Sequence, residues 1–168
     1  HNMSPLVENW KEYWREAQKV GVKKAVVVGA NLATAKKAIE IAEQDENLWA
    51  AVGIHPTDFL ENGTDEKGKV WLESEVTTTG KNQILEQMIE EIEEMRDWRS
   101  PNIVAIGECW LEYFKLRERP DFENIRAIQK RLLTWQINWA LTAQKTLIFH
   151  LRDDETVTTV NSVYEEIL

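Results

Sequence analysis

Cysteine is almost absent from this sequence, because Cys109 is the only one. A single cysteine excludes an internal disulfide, and a chain without disulfides is typical of the reducing cytosol. No histidine is near Cys109 in the sequence, so we interpret it as a small packing residue and not as a nucleophile. Long hydrophobic runs are missing too: none approaches the ~18 residues that a membrane span needs. We therefore expect a cytoplasmic protein without a membrane-spanning segment.

The sequence also has fewer positively charged than negatively charged residues. Lysine and arginine together number 20 against 29 aspartates and glutamates, which gives a formal net charge of −9. Proteins that coat nucleic acid through bulk electrostatics are usually basic, so this balance argues against that class. It leaves open an enzyme that holds phosphates through a metal ion.

Short apolar runs predict a sheet. The runs are KAVVVG (24–29), LWAAVGI (48–54), IVAIGE (103–108) and TLIFH (146–150). They are apolar on both faces, which is typical of parallel strands covered on both sides. Helical periodicity is found over 5–20, 32–44, 83–98, 121–144 and 155–168, with Asn31 placed as an N-cap. The alternation of strand and helix predicts an α/β fold of right-handed βαβ units.

The chain is predicted to form one domain over residues 1–168, since it is long enough for a core and shows no linker, repeat or low-complexity tract. One segment interrupts the alternation. Residues 59–81 are polar and turn-rich, and we interpret them as an inserted loop or small hairpin at one end of the sheet.

Polar residues end several of the predicted strands. His55 follows the second run, Glu108 ends the third, and His150 ends the fourth and is followed by Arg152. The carboxyl ends of parallel strands meet at one rim, where α/β folds place their active sites. Imidazole and carboxylate together suit zinc, manganese, iron or nickel better than calcium. A cation would also explain a charged residue at the end of a buried strand, and it would activate water near neutral pH.

The polar residues at the strand ends also have purely structural explanations that need no metal ion. A histidine at a strand end is often a hydrogen-bonded loop residue. Glu108 has the alternatives of capping the next helix or pairing with Lys115 or Arg117. Arg152 and Asp153 have the alternative of a surface ion pair, which stabilises little. The coincidence of several polar strand ends is what favours the metal site.

Three motifs add a family resemblance. VGIHP, VAIGECWLEYF and LIFHLRD, in this order, resemble the TatD family of metal-dependent deoxyribonucleases, which are amidohydrolase-like (β/α)8 barrels. Residues 21–58 and 129–153 resemble the family almost throughout, and the match covers nearly the whole chain apart from 59–81. The resemblance implies a TIM-barrel fold, of which this chain covers about strands two to five plus a remnant of strand one.

The resemblance also implies a phosphodiesterase site with two divalent metal ions, magnesium, manganese or zinc, acting on DNA. Glu108 matches the carboxylate that bridges the metals, and His150 matches a histidine that binds one of them. His1 lies upstream, where the family has a His-x-His pair, and is a further expected ligand. His55 and Arg152 match positions that line the substrate cleft.

The chain departs from the family pattern in places. Trp110 stands where the family usually has glycine, and Glu112 where it has aspartate. A complete barrel needs roughly 200–250 residues, and the family's late histidine ligand and catalytic aspartate are not in this sequence, so no catalytic residue is assigned. A missing C-terminal half or a second copy of the chain would have to complete the barrel. The alternatives are a related amidohydrolase-type enzyme acting on a non-nucleic-acid substrate, and an inactive half-barrel scaffold.

Overall fold

The structure is a computed structural model that describes residues 8–55, 78–114 and 116–153, without the side chains of residues 78–85 and of Trp110. In chain order the elements are α1 (Trp10–Lys19), β1 (Ala25–Gly29), α2 (Leu32–Ala42), β2 (Leu48–Val52), α3 (Thr78–Arg96), β3 (Ile103–Glu112), α4 (Phe122–Ala143) and β4 (Thr146–Arg152). The helix predicted over 155–168 and most of the predicted insert lie outside the described residues.

The four strands in the described part of the chain form one parallel sheet in the order β1-β2-β3-β4. Each pair of neighbouring strands is joined through a helix: α2 follows β1, α3 follows β2 and α4 follows β3. The predicted α/β fold with a parallel sheet is confirmed, and all four apolar runs are strands.

β3 is longer than its apolar run. The strand continues past Glu108 to Glu112, and its pairing with β4 shifts by one residue between Ile106 and Cys109. Gly107 lies in this bulge with φ 145°, a backbone angle that suits glycine. The prediction that the third strand ends at Glu108 was therefore wrong. A bulge interrupts the side-chain alternation, so the sequence after it does not resemble a continuing strand.

β4 also continues beyond its prediction, from His150 to Arg152. Its last residues pair with the part of β3 that follows the bulge, with His150 opposite Trp110 and Arg152 opposite Glu112. Glu108 and His150 thus lie within strands and not at their ends.

The ends of two helices show how local sequence sets the elements. Asn31 caps α2 as predicted: its side chain accepts from the Thr34 amide at 2.9 Å, and the Thr34 hydroxyl accepts from the Asn31 amide at 3.0 Å. α3 begins at Thr78, before the predicted start at 83, so residues 78–81 belong to a helix and not to the insert. Because Gly80 is a poor helix former, the sequence pattern does not predict this first turn as helix.

Helix α4 packs against β3 and α3, and buried residues of these elements and of β2 form the main core. Its fully buried members include Val52, Ile54, Ile92, Met95, Ile106, Leu111, Tyr113, Ile125 and Leu132. A smaller cluster joins α1 and α2 to the start of β2 around Trp14, Ile41 and Leu48. Among the described helices, none combines the length and the apolar character that crossing a bilayer requires.

Candidate metal and substrate site

Glu108 and His150 meet on neighbouring strands. His150 Nδ1 lies 3.9 Å from Glu108 Oε1, and the two side chains keep 35% and 27% of their surface exposed. The bulge in β3 sets the register that places them together. The predicted juxtaposition of this carboxylate and this imidazole is therefore present, although both residues lie inside strands.

His55 approaches the same place from β2. Its backbone N–H donates to the carbonyl of Ala30, just beyond the end of β1, at 2.7 Å. The pKa of the His55 imidazole is lowered to about 4, mainly by burial and also by the neighbouring His150. His55 is thus near His150 and carries no charge near pH 7.

The pKa of His150 is lowered as well. Burial is the main cause, and Arg152 adds to it, while the carboxylate of Glu108 acts in the opposite direction. The imidazole is therefore mainly neutral near pH 7. Neutral imidazole is the form that binds metal ions, so the protonation state of this histidine fits a ligand role.

The chemical types of these donor groups suit a divalent cation, but the described residues supply few ligands. Glu108 offers a carboxylate and His150 a neutral imidazole, a combination that suits zinc or manganese. Within residues 8–55, 78–114 and 116–153, no group of three or more histidines, cysteines, aspartates or glutamates could hold a metal ion. A metal centre here needs further ligands, and His1, the other predicted ligand, lies outside the described residues.

Arg152 ends β4 next to these residues. Its guanidinium carbon lies 3.8 Å from the centre of the Phe114 ring, which is a close cation–π contact. Its backbone carbonyl accepts from the Tyr113 N–H at 2.9 Å, which continues the β3–β4 pairing. The side chain is thereby positioned on an aromatic face at the end of β4, near His150.

In the structure Arg117 forms an ion pair with Asp153 and not with Glu108, and Lys115, the other alternative partner of Glu108, lies outside the described residues. Asp153 was an alternative partner for Arg152. It forms a bidentate ion pair with Arg117, with Nε–Oδ1 and Nη2–Oδ2 distances of 2.7 and 2.6 Å. Arg117 was itself an alternative partner for Glu108. Its engagement with Asp153 removes one of the structural explanations for the charge of Glu108.

Two buried polar residues near the site escaped the sequence reasoning. Gln129 and Gln136 lie on α4 and are fully buried, with 0% and 1% of their surface exposed. Their side chains bond to the backbone of β3 and of the segment after β2. The signal in the sequence was their spacing of seven residues on the apolar face of the helix, where a polar side chain requires a partner.

Comparison with known proteins adds independent information. Residues 2–167 match the model of a family described as TatD related DNase. A curated relative from Citrobacter rodentium, named 3'-5' ssDNA/RNA exonuclease TatD, is 24% identical over 91% of this chain and 47% of its own length. An uncharacterized metal-dependent hydrolase, YabD of Bacillus subtilis, is 28% identical over 89% of this chain and 48% of its own length. This chain thus spans about half the length of the curated relatives that it matches.

Solved structures agree on the fold. The crystal structure of YJJV, a TatD homolog from Escherichia coli K12, has a TM-score of 0.58 at 23% identity and covers 90% of this chain and 48% of its own. An uncharacterized amidohydrolase from Saccharomyces cerevisiae has a TM-score of 0.53 at 20% identity, over 86% and 41% of the two chains. The parallel sheet and its helices correspond to part of the TIM-barrel fold of these proteins.

Proposed function

Because this chain belongs to the TatD related DNase family, we propose that it supplies part of the active site of a metal-dependent hydrolase that cleaves phosphodiester bonds in DNA. Two kinds of observation support the proposal. Curated relatives are named as a 3'-5' ssDNA/RNA exonuclease and as a deoxyribonuclease, the latter from Schizosaccharomyces pombe. The observation that carries it is the 3.9 Å separation of Glu108 Oε1 and His150 Nδ1.

In this proposal Glu108 and His150 would hold the metal: the carboxylate of Glu108 would supply negative charge to the two cations, and the neutral imidazole of His150 would be a ligand of one of them. His1 is a further proposed ligand. Bound divalent ions, magnesium, manganese or zinc, would stabilise charge on the phosphate oxygens and supply a water that ionises near neutral pH. The remaining ligands and the general base come from outside the described residues, in a further segment or a second copy of the chain.

His55 and Arg152 bind the substrate phosphate in this proposal. The guanidinium of Arg152 is planar and always charged, and it matches the geometry of phosphate oxygens. Its contact with the Phe114 ring restricts the plane in which it is presented. The neutral imidazole of His55 has one donor and one acceptor nitrogen, so it hydrogen-bonds a phosphate oxygen without adding charge.

The experiment is cleavage of a fluorescent single-stranded DNA oligonucleotide by the full chain with added manganese or magnesium. Glu108→Ala and His150→Ala are compared with Glu94→Ala, a control in which the removed carboxylate is exposed and pairs with Lys36. We expect manganese-dependent cleavage that both site variants abolish and the control retains. Equal cleavage by Glu108→Ala and wild type would overturn the proposal. Activity restricted to cyclic amides would favour an amidohydrolase-type enzyme.

A further inference from the structure

A side chain replaces part of the sheet near the proposed site. The paired residues of β2 and β3 end at Val52 and Ile106. Two residues further, the backbone of Ile54 pairs with the carboxamide of Gln136: Oε1 accepts from the Ile54 N–H at 2.9 Å, and Nε2 donates to the Ile54 carbonyl at 3.2 Å. One donor and one acceptor are what a neighbouring strand would offer, so Gln136 extends the pairing of this segment.

Gly53 makes the space for this carboxamide. A Cβ on Gly53 would lie 2.7 Å from Oε1 of Gln136 and 2.9 Å from the carbonyl carbon of Gly107. Neither distance is tolerable for carbon. The gap between the segment after β2 and the bulge of β3 is therefore wide enough for the amide group only because residue 53 is glycine.

Gln129 makes the same kind of contact with β3. Its Oε1 accepts from the Glu112 N–H at 3.0 Å, and its Nε2 donates to the Glu112 carbonyl at 3.1 Å. Seven residues are about two helical turns, so Gln129 and Gln136 lie on the same face of α4. One helix thus holds the backbone of two strands beside the site, through two buried carboxamides.

The contact with Ile54 acts on its neighbour His55. The His55 N–H is fixed from the other side by the Ala30 carbonyl. Rotating the Gln136 amide by half a turn would face donor with donor and acceptor with acceptor, and releasing it would leave buried backbone groups unpaired, which is costly. The orientation of the backbone that carries His55 is therefore set by two opposed hydrogen-bond partners, one on α4 and one beyond β1.

We propose that Gln136 is a positioning residue: its carboxamide fixes the Ile54 backbone and thereby the direction in which His55 presents its imidazole to the substrate phosphate. This inference rests on the proposed function for the role of His55. If the inference is right, removing the carboxamide of Gln136 disturbs His55 more than removing the carboxamide of Gln129 does.

The test compares Gln136→Met with Gln129→Met in the full chain. Methionine keeps the length and volume of glutamine but removes the donor and the acceptor, and each variant removes one buried pair of hydrogen bonds from the same helix. A change that is common to both variants would reflect lower stability or a shifted helix, and not the positioning of His55. We expect Gln136→Met alone to shift and broaden the NMR signals of the His55 ring and to speed amide exchange at Ile54 by at least tenfold.

DNA cleavage provides the functional readout, at a temperature where all variants are folded. We expect kcat/KM of Gln136→Met to be at least tenfold below that of Gln129→Met. Gln136→Glu is the conservative variant: burial favours the neutral carboxyl group, which keeps one acceptor and one donor. It should recover much of the lost activity. Gly53→Ala, which crowds the carboxamide from the opposite side, should disturb the His55 signals in the way that Gln136→Met does.

The outcomes separate this inference from the proposed function. If wild type does not cleave DNA, the proposed function fails, and the His55 signals still decide the positioning role. Unchanged His55 signals in Gln136→Met, or equal kcat/KM in the two methionine variants, would overturn the inference. If Gln136→Met does not fold, Gly53→Ala takes its place, and unchanged His55 signals in that variant would overturn the inference.

Discussion

Arg117 donates two hydrogen bonds to Asp153, from Nε to Oδ1 at 2.7 Å and from Nη2 to Oδ2 at 2.6 Å. The carboxylate is almost completely buried, with 5% of its side chain exposed. The pair ties the loop after β3 to the residue that follows β4. Since Asp153 comes directly after Arg152, this ion pair helps to fix the end of the strand that carries His150 and Arg152.

Replacing Arg117 with methionine should therefore destabilise the protein strongly. The variant leaves a buried carboxylate without its main counter-charge, and breaking such pairs costs about 3 kcal/mol. Arg119→Met is the matched control, since Arg119 pairs with Asp121 in a more exposed setting and should cost less than about 1 kcal/mol. Urea unfolding followed by circular dichroism measures both. Equal losses in the two variants would show that the burial of Asp153 has no energetic consequence.

Cys109 should be chemically inert in the folded protein. The residue is fully buried, and burial raises the pKa of its thiol to about 12, so almost none of it is thiolate at pH 8. A thiol reagent such as DTNB should react with it only after unfolding in denaturant. Reaction in native buffer at the rate of a free thiol would contradict the packing role that we predict for this residue.

Asp45 should make stability depend on acid pH. Its carboxylate accepts from the Asn47 N–H at 2.9 Å and from the Trp14 indole N–H at 2.8 Å, and these bonds lower its pKa below 3.8. A lowered carboxyl pKa stabilises the fold above the unfolded value, and this contribution is lost as pH falls through the folded value. Wild type should exceed Asp45→Asn in the free energy of unfolding at pH 6, and the difference should shrink towards pH 3. A difference that stays constant over this range would contradict the assignment.

Local sequence patterns predicted most of the fold. Apolar runs identified the four strands of the described residues, because the strands of a parallel sheet are typically rich in apolar residues. Periodicity identified α4 within a residue at each end. The bulge at Gly107 was not predicted, because it depends on pairing with β4 and not on the residues of β3 alone. The lengths of β3 and β4 were underestimated for the same reason.

The site was predicted less completely. The sequence predicted that Glu108 and His150 come together at the ends of their strands; the structure places them 3.9 Å apart, but within the strands. The roles of the two buried glutamines were missed, since they depend on which backbone groups face α4 in three dimensions. The ion pair of Arg117 and Asp153 joins residues 36 positions apart. Such a contact leaves no periodic trace in the sequence.

The most direct test of the central claim is calorimetric titration of the full chain with manganese, before any assay of cleavage. The account predicts binding that Glu108→Gln and His150→Ala each weaken by at least about 100-fold, since each removes a metal ligand and not an outer-shell partner. Glu94→Gln, an identical change at an exposed salt bridge with Lys36, should bind as wild type does. Manganese binding of equal strength in wild type and Glu108→Gln would contradict the claim that Glu108 and His150 form a metal site.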